Sequence, residues 1–425
     1  FYELGLHLDI LEDPTGKLTI DEVNRLDGRF KKSEEKVPNF GFSTSAFWIK
    51  VVVNNQSQKK DWLFSYNYYN QDKITFFKKV GQVWKHKTTG DLYPLKTRER
   101  EVRPFVFKVS PEKETTYFFR IEGTDHQANI ALVTEDKLQK MEIREYIYFS
   151  LFSGLVLGLI FYNFFIFIST KSICYLYYIF HLILIWFFFS LDMGFGQLAF
   201  FENYPWFSNE GIAVVGCGAS FFFFLFAIYY LNLRPTDFWI FRALYWGSIF
   251  CFTNLLISLF APFSLSLKLV ILSTVILSFS CLGAGIYKLK KHYRPAKFFL
   301  LAFTLFFIGA FVFSVMTTGI IPSNEFIRNI MPISYSLSIL LLSMGLADRF
   351  NYQQEESLKK EKALTSDLEL QKLQVEEEKR ISEILYKKVE GFNSQLENKV
   401  EDQSKEIKKL LDNMNTSVFA IGEDF

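Results

Sequence analysis

Residues 145–170 read EYIYFSLFSGLVLGLIFYNFFIFIST, a run that carries no charge after its first residue. A helix needs roughly 20 mainly apolar residues to cross a bilayer, so this run is long enough to span one. Six later runs have the same character. The seven predicted membrane segments are Glu145–Thr170, Ser172–Leu191, Ile212–Leu233, Phe238–Phe260, Ser266–Lys290, Ala296–Ile321 and Ile327–Phe350. The sequence therefore predicts a seven-helix transmembrane bundle over residues 141–350.

The composition agrees with a membrane protein and argues against other classes. Of the 425 residues, 50 are Phe and 18% are aromatic, far above the usage of ordinary globular proteins. The formal net charge is only +2 and no strong basic patch stands out, so we predict no nucleic-acid partner. The four cysteines are expected to be small apolar packing residues in separate membrane segments: Cys174, Cys217, Cys251 and Cys281. We therefore predict no metal site and no cofactor.

The distribution of basic residues predicts which end of the chain faces the cytoplasm. Cytoplasmic loops carry an excess of Lys and Arg. The basic residues that follow the fifth segment are Lys288, Lys290, Lys291, Arg294 and Lys297. The loop Asp192–Glu210, by contrast, contains neither Lys nor Arg. Because the number of crossings is odd, this asymmetry predicts an N-terminus outside the membrane and a cytoplasmic chain from Arg349 onward.

Residues 1–140 have the pattern of an all-β domain. Short runs of strand-forming residues alternate with turn signals, as is typical of a β-sandwich. The predicted strands are Phe47–Val53, Trp62–Tyr69, Lys73–Val80, Arg103–Val109, Thr116–Ile121 and Asn129–Val133. This part of the chain contains no cysteine, so we expect its core to hold together without a disulfide.

Several stretches of this domain resemble a known family. They are Leu11–Gly16 (LEDPTG), Leu18–Val23 (LTIDEV), Asn39–Trp48 (NFGFSTSAFW), Trp62 and Tyr117–Arg120 (YFFR). These stretches resemble the type-2 extracellular domain of bacterial seven-transmembrane receptors with diverse intracellular signalling modules. The resemblance extends to about residue 350, because seven apolar segments follow directly. It implies a jelly-roll-like ectodomain that binds carbohydrate or another small ligand, a bacterial inner-membrane location, and a variable cytoplasmic output.

Aromatic and polar residues around the second and third strands are the candidate ligand contacts. Sugar binding favours aromatic faces for stacking together with a few fixed polar groups. The candidates are Tyr66, Tyr68, Tyr69, Asn70, Asp72 and Trp84. The alternative is that these side chains are ordinary core and strand-surface residues. Both interpretations stay open at the level of the sequence.

Four polar residues fall within the predicted membrane segments, where polar groups are costly and often functional. They are Asn163, His181, Asp192 and Asn254. Asp192 lies near the outer end of its segment and is expected to meet water. His181 either bonds a neighbouring helix or lines a pocket or switch. One histidine and one peripheral aspartate are too few for a proton pathway, so a pump is not expected.

The composition changes to Glu, Lys, Gln and Leu after Phe350, and residues 351–411 are predicted to form a coiled coil. Apolar residues recur with alternating spacings of four and three, which is the period of a coiled-coil seam. The seam residues are Leu364, Leu368, Val375, Leu385, Val389, Phe392 and Leu396. We expect a parallel homodimer, because two chains in one membrane would point this helix the same way. Polar interruptions in the seam suit an element that switches between two packings.

Residues 412–425 look like the start of a cytoplasmic output module. Val418–Ile421 is predicted as its first strand, and the stretch resembles those that precede PAS-like domains and chemotaxis-type histidine kinases. Residues 1–425 contain no recognisable catalytic constellation. Any enzyme activity, such as that of a histidine kinase, nucleotide cyclase or phosphatase, is therefore expected in a module beyond them.

The resulting prediction is a multi-domain receptor in the bacterial inner membrane. It would sense an extracytoplasmic ligand and control its output module through the dimeric coiled coil. The alternatives are an envelope-binding adhesion or scaffold protein, and a transporter. The sequence names neither the ligand nor the output enzyme.

Overall fold

The computed structural model describes residues 1–112, 114–317 and 329–421. The chain divides into two compact units, Phe1–Phe350 and Asn351–Phe425. The first unit contains an N-terminal β domain and a helical bundle.

The β domain consists of strands that all pair in antiparallel fashion. In the described residues they are β1 (Tyr2–Glu3), β2 (Asp9–Asp13), β3 (Lys31–Lys32), β4 (Asn39–Phe42), β5 (Ala46–Val53), β6 (Trp62–Tyr66), β7 (Lys73–Val80), β8 (Val83–Thr89), β9 (Phe105–Val109), β10 (Thr115–Glu122), β11 (Asp125–Gln127) and β12 (Ile130–Val133). One sheet has the order β1-β12-β6-β9, and a second has the order β3-β2-β5-β10-β7-β8. A ribbon of β4 and β11 completes the domain.

An aromatic core joins the two sheets face to face. Phe64 and Phe107 of the first sheet point toward Phe76 and Phe119 of the second, because alternate residues of a strand share one face. The ring centroids of Phe64 and Phe76 lie 5.9 Å apart, and those of Phe76 and Phe107 lie 4.8 Å apart. Burying one such side chain contributes about 1.5–3 kcal/mol. The domain is therefore a two-sheet sandwich, while the jelly-roll designation stays a prediction.

The strands predicted for the centre of each sheet are confirmed, with ends that move by up to three residues. The predicted strand at Arg103 was wrong at its start, since β9 begins at Phe105 and leaves Arg103 in the preceding loop. β2 and β8 were not predicted, because each carries charged residues on its exposed face. A short helix, α1 (Ile20–Arg25), begins with the capping box of Thr19 and Glu22.

The bundle follows the β domain. Its helices are α2 (Glu135–Thr170), α3 (Ile173–Asp192), α4 (Phe195–Ala199), α5 (Pro205–Ser208), α6 (Glu210–Tyr230), α7 (Phe238–Ser258), α8 (Phe263–Lys290), α9 (Ala296–Thr317) and α10 (Ile330–Ile421). Seven helices in the described part of the chain are long and apolar enough to cross a membrane, in agreement with the seven predicted segments. The chain is thus a multi-pass membrane protein. The end of the sixth predicted segment and the start of the seventh fall within residues 318–328, which lie outside the described residues.

The first membrane helix begins at Glu135, ten residues before the predicted Glu145. Leu138 and Met141 in these extra turns pack against the first sheet, in a cluster with Leu63 and Val106. The early start was not predicted because residues 135–144 are too polar to resemble a membrane segment. One helix therefore belongs to both the β domain and the bundle.

The strand predicted over Val418–Ile421 is wrong, because α10 continues as a helix to Ile421. A strand needs a neighbouring strand for its backbone hydrogen bonds, whereas a helix satisfies them within its own segment. The seam side chains Leu364, Leu368, Val375, Leu385, Val389, Phe392 and Leu396 are each at least half exposed in the single chain. The coiled coil, the homodimer and the truncated output module remain predictions.

Candidate functional site

Two loops of the β domain meet one end of the helical bundle. One connects β6 to β7, and the other connects β8 to β9. We call this contact region the junction. Its β-domain residues are Tyr69, Asn70, Asp72, Asp91, Arg98 and Arg103, and its bundle residues are Glu142, Glu145, Asp192, Phe195, Gln197 and Asn209.

Arg103 is the most deeply buried charge of the junction, with a side chain that is 0% exposed. Its Nη2 lies 3.1 Å from Oε1 of Glu142 and 3.8 Å from Oε2 of Glu145, both on α2. Its Nη1 donates to the carbonyl oxygen of Met193 at 3.3 Å. The guanidinium also lies over the ring of Phe195, 4.3 Å from its centroid. One side chain of the β domain therefore contacts α2, α4 and the end of α3.

The arginine at position 98 forms a second buried link. Its Nη1 donates to the carbonyl oxygens of Val102 and Arg103 at 2.7 and 2.8 Å, which fixes the loop that presents Arg103. Its Nη2 donates to Oε1 of Gln197 on α4. Gln197 in turn donates from Nε2 to the carbonyl oxygen of Tyr93 at 3.1 Å. The loop and α4 are thus bonded reciprocally.

Two carboxylates of the β domain share one amide of the bundle. Nδ2 of Asn209 donates to Oδ1 of Asp72 at 3.3 Å and to Oδ2 of Asp91 at 3.1 Å. Asp72 immediately precedes β7, and Asp91 follows β8 by two residues. Asn209 therefore holds the base of the β7–β8 hairpin, because its amide bonds one carboxylate beside each of the two strands.

Asp72 sits where neighbouring glycines leave room for it. A Cβ at Gly90 would lie 2.1 Å from the carbonyl oxygen of Asp72, and one at Gly123 would lie 2.7 Å from its side chain. Both glycines also have positive φ, +156° and +151°, although these values are near the limit of the left-handed region. The close approach, more than the backbone angle, requires glycine at both positions.

Burial changes the acidity of this pair. Desolvation raises the pKa of Asp72 to about 6, against which the hydrogen bond from Asn209 acts. Desolvation and the nearby Asp72 raise the pKa of Asp91 well above its ordinary value. Oδ1 of Asp91 has no hydrogen-bond partner among the described residues. Burial and the mutual proximity of the two carboxyls therefore favour their protonated forms more than in exposed aspartates.

The structure separates the six predicted ligand residues. Tyr66 is fully buried in the sandwich core, with its hydroxyl donating to the carbonyl oxygen of Gln127 at 2.7 Å. Tyr68 packs against the same core. Trp84 is half-buried on the other face of the second sheet, where its ring centroid lies 5.4 Å from that of Phe118.

The remaining three, Tyr69, Asn70 and Asp72, come together at the junction. The ring of Tyr69 lies 4.8 Å from the guanidinium of Arg103. Nδ2 of Asn70 donates to Oδ1 of Asp192 at 3.3 Å. A direct role of any of the six in ligand binding remains a prediction.

The predicted membrane polar residues are all bonded within the protein. Asp192 at the end of α3 accepts from Asn70, so the expectation that it simply meets water was incomplete. Nδ2 of Asn254 donates to Oγ of Ser273 at 3.0 Å. Asn163 donates to the carbonyl oxygen of Leu159 in its own helix at 2.8 Å.

His181 belongs to a polar face of α3 that contacts α10. Its Nδ1 donates to the carbonyl oxygen of Ala219 at 2.9 Å, and its Nε2 accepts from the hydroxyl of Tyr335 at 2.6 Å. Tyr178 and Tyr175 lie three and six residues earlier, on the same side of the helix. Their hydroxyls donate to carbonyl oxygens of α10, those of residues 339 and 346, at 2.9 and 3.4 Å. Three side chains of α3 thus bond one helix.

A third group of contacts lies at the end of the bundle opposite the junction. Asp237 accepts hydrogen bonds from Lys288 at 2.8 Å and from Lys291 at 3.0 Å. Although burial opposes the effect, these bonds hold the pKa of Asp237 well below its usual value. Nε of Arg294 donates to Oδ1 of Asp348 on α10 at 3.1 Å. At this end, the loop before α7 is therefore bonded to the end of α8, and the loop before α9 is bonded to α10.

The residues that build most of the junction were not predicted from the sequence. Arg98, Arg103, Asp91 and Asn209 lie in loops, and their surroundings in the sequence are ordinary. Residues 97–103 read TREREVR, so three charged residues that are partly or fully exposed lie between the buried Arg98 and Arg103. The local sequence therefore carries no signal that separates Arg98 and Arg103 from Arg100.

Comparison with known families gives separate matches for the β domain and for the helical bundle. Residues 145–349 match the family model described as 7TM diverse intracellular signalling. Residues 5–134 match the family model described as 7TMR-DISM extracellular 2. None of the curated proteins compared with the chain matches it. The two matched ranges cover the bundle and the β domain, and they leave the first turns of α2 between them.

Proposed function

Because the chain belongs to the seven-transmembrane receptors with diverse intracellular signalling modules and is a transmembrane signalling receptor, we propose what it senses and how the signal travels. A small extracytoplasmic ligand, of carbohydrate or related chemistry, binds the β domain or the junction. The bundle responds by a change of packing. The C-terminal helix then changes the activity of an output module as a parallel homodimer in a bacterial inner membrane.

The buried contact of Arg103 with Glu142 and Glu145 is the observation that carries this proposal. A β domain that merely anchored the chain would need no buried charge at its contact with the bundle. Removing one partner of a buried ion pair costs about 3–5 kcal/mol, so the docked arrangement is well defined. A ligand that binds better to one of two arrangements shifts their populations by its differential affinity. The junction is suited to convert such a shift into helix movement.

The polar face of α3 supports a route through the bundle. At the junction end of α3, Asp192 is bonded to Asn70 of the β domain. Deeper in the bundle, His181 and Tyr178 are bonded to α10. α3 therefore has direct hydrogen bonds both to the β domain and to the helix that continues into the predicted coiled coil.

The proposal is tested with the whole chain fused at its C-terminus to a nucleotide-cyclase catalytic domain that is active as a dimer. We expect Arg103→Gln to change the basal cyclase activity at least threefold at equal membrane abundance. Arg100→Gln is the matched control, because Arg100 lies in the same loop but forms a half-exposed ion pair with Glu135.

Equal cyclase activity of Arg103→Gln and the unmodified chain would overturn the coupling. That result would favour an adhesion or scaffold protein, in which the β domain anchors and the C-terminal helix does not respond. A transporter would instead be indicated by ligand uptake into vesicles that contain the purified protein.

A further inference from the structure

Arg349 is a buried charge at the end of the bundle opposite the junction, and the signalling route described above does not use it. It belongs to α10 and is only 6% exposed. Its Nη2 donates to the carbonyl oxygen of Tyr229 at 3.1 Å, whereas its buried Nε has no hydrogen-bond partner among the described residues. A guanidinium carries several N–H donors and stays ionised in proteins. One hydrogen bond to a neutral carbonyl therefore leaves most of its bonding capacity unused.

No acidic side chain in the described part of the chain forms an ion pair with Arg349. The adjacent acid, Asp348, lies 2.9 Å from Nη2 of Arg294 and is bonded to that residue instead. At the junction, by contrast, the buried Arg103 has the carboxylate of Glu142 beside it. A buried charge is costly unless it is paired. We therefore expect a negative group from outside the described residues to pair with Arg349.

Two other helices lie beside this part of α10. The hydroxyl of Tyr175, near the start of α3, donates to the carbonyl oxygen of Leu346 at 3.4 Å. A Cβ at Gly345 would lie 2.3 Å from the hydroxyl of Tyr230, at the end of α6. Residues three and four apart share one face of a helix. Arg349 therefore lies on the face of α10 that packs against the start of α3 and the end of α6.

α3 begins beside Arg349 with an N-terminus that no side chain caps. The N-cap residue, Ser172, makes no capping hydrogen bond with its side chain. Helix N-termini leave backbone N–H groups without partners in the helix, and the helix dipole favours an anion there. The charge of Arg349 acts on Cys174 and Tyr175, the second and third residues of α3. The exposed Lys171 comes directly before Ser172 and adds a second cation at this helix end.

The position of these groups along the helices indicates which anion they meet. α3 starts at Ile173 and α6 ends at Tyr230, and both helices are long and apolar enough to cross a membrane. The sequence of α10 changes from apolar to charged after Phe350. Arg349 therefore lies where the apolar parts of three helices end, which is the level of the lipid headgroups. Basic groups between membrane helices at this level are typical partners of anionic headgroups.

We propose that Arg349, Lys171 and the first turn of α3 bind the phosphate group of an anionic phospholipid. The phosphate oxygens accept hydrogen bonds from the guanidinium and from backbone N–H groups at the start of α3. The inference goes beyond the proposed function, since the site lies at the other end of the bundle and needs no extracytoplasmic ligand. Because Arg349 is two residues before the predicted coiled coil, the bound lipid holds α10 against α3 at the point where α10 leaves the bundle.

The test measures thermal unfolding of the full chain in phosphatidylcholine nanodiscs that contain a rising fraction of phosphatidylglycerol. A lipid that binds only the folded protein raises its melting temperature. We expect Arg349→Met to weaken the apparent affinity for phosphatidylglycerol about tenfold, which corresponds to about 1.4 kcal/mol. In pure phosphatidylcholine this variant should melt no lower than the unmodified chain, because it removes a buried charge that lacks a partner. A much lower melting temperature there would show that the protein itself compensates the charge, and would overturn the proposal.

Lys290→Gln is the matched control, since it also removes one positive charge at this end of the bundle. Lys290 is exposed at the end of α8, and the loop that follows it is bonded to α10 through Arg294 and Asp348. This variant should keep the response to phosphatidylglycerol. Arg349→Lys retains the charge but not the planar donor group, so it should keep only part of the response. An equal loss in the Lys290 control, or an undiminished response in both Arg349 variants, would overturn the proposal.

Inorganic phosphate distinguishes a lipid headgroup from a soluble anion of the same chemistry. When it is added to the unmodified chain in pure phosphatidylcholine nanodiscs, we expect no change in the melting temperature. Native mass spectrometry should show phosphatidylglycerol retained by the unmodified chain and reduced on Arg349→Met. If inorganic phosphate stabilised the protein as much as phosphatidylglycerol does, the site would bind a soluble anion and the lipid assignment would be wrong.

Discussion

The guanidinium of Arg103 lies 3.1 Å from the carboxylate of Glu142, and neither side chain has more than 10% of its surface exposed. The first residue belongs to a loop of the β domain and the second to the first membrane helix. Their contact joins the β domain to the helical bundle through side chains, in addition to the covalent connection of the chain. Its energetic and signalling consequences can be measured separately.

Arg103→Met should lower the free energy of unfolding by about 3–5 kcal/mol, because it removes the guanidinium that pairs with the buried Glu142. Arg100→Met, in the half-exposed pair with Glu135, should cost less than about 1 kcal/mol. Thermal unfolding of the purified protein in detergent measures both. An equal cost for the two variants would contradict a buried pair at Arg103.

The junction should be more stable at low pH. The pKa of Asp72 is raised to about 6 in the folded protein, so its contribution is complete below the unfolded pKa of about 4 and is lost as the pH rises through about 6. The effect amounts to at most about 3 kcal/mol.

Asp72→Asn should therefore stabilise the protein more at pH 8 than at pH 4.5. Asp91 and Glu210 are the nearby acids and Arg98 the nearby base, so the pH dependence should flatten only in part. Melting temperatures across this pH range provide the measurement, with the exposed Asp61→Asn as a control. A stabilisation that is constant with pH would argue against a buried, protonatable Asp72.

Gly90→Ala should disrupt the base of the hairpin, because the added Cβ would lie 2.1 Å from the carbonyl oxygen of Asp72. Gly16→Ala is the control, since Gly16 also has positive φ, +62°, but no atom within 4 Å of its Cβ position. We expect the first variant to cost at least about 2 kcal/mol more than the second. Similar melting temperatures for the two variants would show that the backbone at Asp72 shifts at little cost to accommodate the added methyl group.

Tyr335→Phe removes the hydrogen bond from Tyr335 to His181 and should cost about 1 kcal/mol, as for other bonds between membrane helices. In the cyclase fusion it should also shift basal output, because the bond joins α3 to α10. Tyr245→Phe is the control, since Tyr245 is exposed on α7. A variant that loses stability without any change in output would place the bond outside the signalling route.

Insertions in the stretch Leu385–Leu396 should change output with helical phase. Each added residue rotates the seam by about 100° relative to the preceding helix. Insertions of one to four residues should therefore give unequal cyclase activities, with the four-residue insertion closest to the unmodified chain. Equal activity for all four would rule out transmission through helix phase.

The β domain and the bundle could be predicted to different depths. The central strands and the seven membrane segments follow from short-range patterns, and the structure confirms them. The edge strand β8 could not be predicted, because a strand with only one neighbour has little apolar surface to show in its sequence. The extra turns of α2 were missed for a related reason, since only one face of residues 135–144 packs against the sheet.

The candidate site was predicted only in part. Tyr69, Asn70 and Asp72 lie at the junction, whereas Tyr66 fills the core and Trp84 lies on the opposite face. The six candidates were predicted as a group because they are close in the sequence. Successive residues of a strand point to opposite faces, so the fold separates their side chains. The partners of the three junction residues, at positions 103, 192 and 209, are distant in the chain.

By itself, the sequence determined that this protein crosses a membrane seven times after a β domain, because both features depend on composition within a window of a few turns or strands. Only the tertiary structure decided that Arg103 forms a buried ion pair between the β domain and the bundle, while Arg100 forms a half-exposed one. Both residues are arginines in one loop, and their difference arises from the helices packed around them. Burial and electrostatic pairing depend on distant parts of the chain, which local sequence patterns do not encode.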